Sequence, residues 1–68
     1  MRFKIDSLKI RILMLEKGLN IGDLAELMKS SRQWVGAILD RGHATLNMVA
    51  RIAKALEVDP KEIVIMED

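Results

Sequence analysis

The sequence predicts an all-α fold, a compact bundle of five short helices, and three observations carry that prediction. Apolar residues recur at helical spacing in four separate stretches. Each stretch follows a Ser, Thr, Asp or Asn able to cap a helix, and Gly18, Gly42 and Pro60 stand where the chain must leave or enter one. With 68 residues, half of them hydrophobic, residues 1–68 are sized for one small domain with one core. Only Phe3 and Trp34 are aromatic, so that core must be aliphatic.

The first helix should start after Asp6 or Ser7 and end at Lys17, with Gly18 supplying the left-handed residue beyond it. At about 100° per residue, Ile10, Leu13 and Met14 form one apolar stripe and Leu8, Ile12 and Leu15 a second, nearly opposite. A helix apolar on two sides is covered on two sides, so the second stripe must meet the chain ends or another subunit. That marks Leu8, Ile12 and Leu15 as interface candidates. Asn20 is placed to cap a second helix reaching about Lys29, with Leu24, Ala25 and Met28 turned inward. Ser30 or Ser31 caps a third, Ser31 to Leu39, with Val35 and Ile38 inward.

Arg41 to Ala44 is expected to be a loop. Thr45 then caps a fourth helix, along which Leu46, Val49, Ile52, Ala53 and Leu56 recur at core spacing. Asp59-Pro-Lys-Glu62 combines an N-cap, a first-turn proline and an acid at the third helical position, so a short fifth helix should begin there. The two ends carry a different pattern. Met1 to Ile5 alternates polar with apolar, and Ile63 to Met66 is rich in β-branched residues. They can pair as an antiparallel ribbon that brings Arg2 and Lys4 near Glu67 and Asp68; alternatively residues 61–66 form a short final helix, or both hold in part, with a turn of helix from Pro60 leading into a strand.

The stretch 20–42 carries the function. Two short amphipathic patterns separated by Lys-Ser-Ser have the shape of a helix-turn-helix over residues 20–40, whose second helix lies in the DNA major groove. Charge is compatible with such a partner: residues 57–68 hold five acids against Lys61, whereas residues 1–56 hold ten cations against five acids, a net of +5. Other classes have little support. There is no cysteine for a disulfide, thiolate metal site or thiol nucleophile, and His43 is the single histidine, so neither a catalytic nor a metal constellation is expected. No cofactor and no small-molecule substrate are indicated. No apolar run approaches the ~20 residues of a membrane span, and the expected location is the cytoplasm.

The run from Lys17 to Val64 resembles the lambda-repressor-like (Xre/Cro) family of helix-turn-helix DNA-binding domains. The resemblance rests on Glu16-Lys-Gly-Leu19, Leu24-Ala-Glu26, Ser31-Arg-Gln33, Arg51-Ile-Ala-Lys-Ala-Leu56 and Val58-Asp-Pro60 in that order. It implies a five-helix bundle that reads double-stranded DNA through the third helix, usually as a homodimer on a pseudo-palindromic site. Arg32 and Gln33 then fall at base-reading positions, and both are chemically suited: arginine pairs bidentately with guanine and glutamine with adenine. Ala37 offers a methyl to thymine, and Gly36 permits close backbone approach. Lys29, Ser31, Trp34, Arg41, His43, Thr45 and Asn47 fall where phosphates are contacted.

Departures from the family pattern support a competing reading. Ile21 replaces a DNA-bonding glutamine, and Lys29-Ser30 replaces a glycine and an apolar residue in the turn. Leu15, Leu27 and Leu39 stand at usually polar positions, and with Ile12 and Trp34 they predict surplus apolar surface. Such a domain could serve as a protein-interaction or dimerisation module with weak DNA binding. Redesign of a family member would leave a similar pattern.

Overall fold

Four α-helices and a two-stranded antiparallel ribbon make up the computed structural model, which describes residues 2–65. In chain order they are β1 (Arg2–Lys4), α1 (Ser7–Glu16), α2 (Ile21–Leu27), α3 (Arg32–Arg41), β2 (His43–Thr45) and α4 (Leu46–Leu56). A 3₁₀ turn, Pro60–Glu62, follows.

Local chemistry sets most of these boundaries. The Asp6 carboxylate accepts from Lys9 N at the start of α1, and Asn20 and Asp23 exchange hydrogen bonds in a reciprocal cap at the start of α2. Ser31 Oγ accepts from Trp34 N at 3.1 Å, and Thr45 Oγ1 from Met48 N at 3.3 Å. Beyond the helices, Gly18 (φ 69°) and Gly42 (φ 76°) take the left-handed conformation. Lys29 does so too (φ 55°), at a cost on the order of 1 kcal/mol for a residue with a Cβ. That left-handed residue ends α2 at Leu27, short of the expected Lys29.

The fifth helix is not an α-helix. The reciprocal cap between Asp59 and Glu62 forms as expected, but the segment completes only a 3₁₀ turn. Ile63 must then drop fully into the core, and Val64 must extend to bridge Ile5, so the helix has no room to propagate. The ribbon also differs from expectation. β1 pairs with β2, Arg2 opposite Thr45, Phe3 opposite Ala44 and Lys4 opposite His43, where a loop was expected over Arg41 to Ala44. The chain ends meet only beyond it, through the Ile5–Val64 bridge and the bonds Asp6 N to Ile63 O (2.8 Å) and Ile65 N to Lys4 O (2.9 Å). Met1, Met66, Glu67 and Asp68, part of the expected ribbon, lie outside the described residues.

One aliphatic core unites the elements. Ile10 and Met14 of α1, Leu24 and Ala25 of α2, Val35, Ile38 and Leu39 of α3, and Val49, Ile52, Ala53 and Leu56 of α4 are buried together with Ile5, Ala44 and Ile63. Two expectations fail at single residues. Leu39, expected as surplus surface, is only 2% exposed because it follows Val35 by four positions and lies on the same face as Ile38. Leu46, expected in the core, is 66% exposed, since the same turn of α4 buries Met48 and Val49 instead and leaves Leu46 on its outer side. The second stripe of α1 stays largely exposed among the described residues: Leu8, Ile12 and Leu15 are 70%, 47% and 78% exposed.

Candidate nucleic-acid interface

The site is built on the α2–turn–α3 unit. Helix α2 ends with Ser30 N bonded to Ala25 O, and Arg51 of α4 donates from Nη2 to the carbonyl oxygen of Met28 at 2.7 Å, which ties the turn to the rest of the bundle. Ser31 then caps α3. Burial of Val35, Ile38 and Leu39 fixes the rotation of this helix and turns the opposite surface to solvent. That surface carries Arg32, Gln33, Ala37 and Asp40 exposed, with Gly36 half-buried among them.

All four expected base-reading residues therefore share one face. Arg32 is also braced: a Cβ on Gly22 would stand 3.6 Å from Arg32 Cδ, so the arginine stem runs across the first turn of α2. Gly22 was not singled out by sequence reasoning; an added Cβ there would press on the capping Asn20 Oδ1 at 3.2 Å and meet Arg32 at ordinary contact distance. Asp40 was likewise passed over. It presents a carboxylate on the outer face of α3, partly offset by Arg11 Nη2 at 3.2 Å in an exposed pair that adds little stability.

The expected phosphate contacts separate into two groups. Lys29 and Ser31 are exposed at the N-terminal end of α3. Trp34, Arg41, His43 and Thr45 line one notch toward its other end, and Arg2 of β1 joins them there. A ten-residue helix is about 15 Å long, so the two groups bracket the outer face of α3. Asn47 is exposed in the first turn of α4 but does not line the notch. Among the described residues no three carboxylate or imidazole side chains are placed to hold a metal ion, and no helix is long and apolar enough to cross a membrane.

A capped helix, a turn with one left-handed residue and a second helix displayed outward define a helix-turn-helix protein of lambda-repressor-like architecture. The chain belongs to the family described as the Cro/C1-type HTH DNA-binding domain, which residues 9–68 match. Membership implies DNA binding. No curated protein and no solved structure gives a significant match to the chain.

Proposed function

We propose that the chain binds double-stranded DNA sequence-specifically, with residues 31–39 in the major groove, and acts as a homodimeric transcriptional regulator in the cytoplasm. The observation that carries this reading is the outer face of α3, where Arg32 and Gln33 stand exposed in the first turn beside Gly36 and Ala37. Cations at both ends of that helix support it, because they can meet phosphates on either side of a groove about 12 Å wide. Selection from random duplexes should return a two-fold site with half-site centres about 34–36 Å apart. Enrichment of nothing, or of a single half-site, contradicts the proposal.

Gly36 offers a sharper check. An added Cβ there meets nothing within 4 Å, so Gly36→Ala should raise stability by about 0.5–1 kcal/mol through helix propensity alone. Its methyl group should nevertheless lower DNA affinity if the backbone at residue 36 closely approaches the duplex. A variant that is more stable and binds equally well places Gly36 away from the DNA.

The exposed stripe Leu8, Ile12 and Leu15 favours a second function, contact with protein, either as the dimer surface or as a module that binds another partner. Charging it by Ile12→Lys with Leu15→Lys should leave the fold intact, since both positions are exposed, and should convert a sedimenting dimer to monomer. A dimer that survives both charges assembles through another face.

A further inference from the structure

We propose that Arg2, delivered by β1, completes with Trp34, Arg41, His43 and Thr45 a cationic notch that seats one phosphate of the DNA backbone. This makes the N-terminal strand part of the DNA-binding surface, and it rests on the reading of the chain as a DNA binder. The notch has a volume of about 120 Å³. A single water needs only ~10–15 Å³, so the notch admits a larger polar group such as the oxygens of a phosphodiester.

The register of the ribbon creates it. Arg2 lies directly opposite Thr45, and side chains alternate across the strands, so Phe3 and Ala44 turn toward the bundle while Arg2, His43 and Thr45 share the outer face. Arg41, in the last turn of α3, and Trp34, two turns earlier, supply the adjoining wall. Thr45 is also the N-cap of α4, whose positive dipole end adds to the field there.

The charges are unbalanced. Two arginines converge from β1 and α3 beside His43 of β2, and among the described residues no carboxylate lines the notch and neither Arg2 nor Arg41 makes an ion pair. Like charges so gathered destabilise the free protein, and an anion relieves that repulsion. His43 shapes the wall instead of binding the anion: Nδ1 lies 3.2 Å from the carbonyl oxygen of Arg41, which can only accept, so the neutral ring in that tautomer turns the acceptor Nε2 outward and the two arginines supply the donors. Phosphate in the notch sits next to α3 and so also fixes the register of the reading helix.

The test is the salt dependence of binding to a labelled duplex of unselected sequence. Each phosphate contact contributes ~0.9 to the slope of log K against log salt, so Arg2→Ala should lower the slope by about that amount and weaken binding several-fold. Arg2→Lys, which keeps the charge, should retain the slope, as should Lys54→Ala at the far end of α4. Trp34, the single tryptophan, reports occupancy of the notch by its emission, which duplex should shift in the wild type and shift less in Arg2→Ala. If the wild type binds with a steep slope and folded Arg2→Ala matches it, the notch assignment alone is overturned. If the wild type shows no salt-dependent binding, the DNA reading itself fails. An emission shift with inorganic phosphate but none with duplex gives the notch to a free anion and also overturns the proposal.

Discussion

Replacing Arg32 and Gln33 together by alanine should erase the preference for a selected duplex over a scrambled one while leaving the protein folded and much of its non-selective binding in place. Both side chains are exposed in the first turn of α3, and neither contributes to the aliphatic core. The fold should therefore survive. Each bidentate contact to a base edge supplies about 1–3 kcal/mol of discrimination, so losing two should lower the affinity ratio by roughly thirtyfold to twenty-thousandfold. The ratio, measured in one salt, is the informative quantity, because Arg32 also contributes charge to both duplexes. Arg32→Lys separates the two roles: it keeps the charge but loses the planar fork, so the ratio should fall while the salt slope is retained. Equal weakening on both duplexes would reduce these residues to backbone contacts and move sequence readout elsewhere.

The caps at Asn20, Thr45 and Asp59 were legible, and those at Asp6 and Ser31 were narrowed to two neighbours each, because a cap depends on residues within three positions of one another. Pairing over longer range was not. Met1 to Ile5 shows the alternation of a strand, but the partner His43–Thr45 has only three residues and a single inward side chain, Ala44, too little to distinguish it from a loop. The β-branched end drew the assignment instead, and among the described residues it pairs with the N-terminal segment through the Ile5–Val64 bridge and the two backbone bonds beside it. The same error hid Arg2, since with a different strand partner nothing places it beside Arg41. Leu39 shows the opposite failure. Its spacing from Val35 marks it as inward, and comparison with a family pattern in which that position is polar outweighed the better local signal. Gly22 gave no sequence signal, and Arg51 entered only as part of a family motif, with no structural role attached. Gly22 lies against the Asn20 cap and the Arg32 stem, and Arg51 bonds a carbonyl 23 residues away.

Spacing alone also treats Leu46 and Ile52 alike, as members of one apolar series on α4, and their substitution separates what packing adds to periodicity. Ile52 is fully buried where α4 faces the core shared with α2 and the ribbon, whereas Leu46 stands 66% exposed in the first turn. Truncating Ile52 to alanine removes apolar contacts and leaves a cavity that close-packed neighbours only partly fill, at a cost of about 2–5 kcal/mol. Leu46→Ala loses little burial, and its change should stay within about 0.5 kcal/mol. A domain of this length has a total stability of roughly 3–10 kcal/mol, so Ile52→Ala should lose a large part of it and be partly unfolded at modest urea. Urea unfolding of both variants checks this directly, with the slope as a control that the unfolded state is unchanged. Comparable losses would mean that Leu46 is covered in solution, and dependence of its unfolding midpoint on protein concentration would identify the cover as a second copy of the chain.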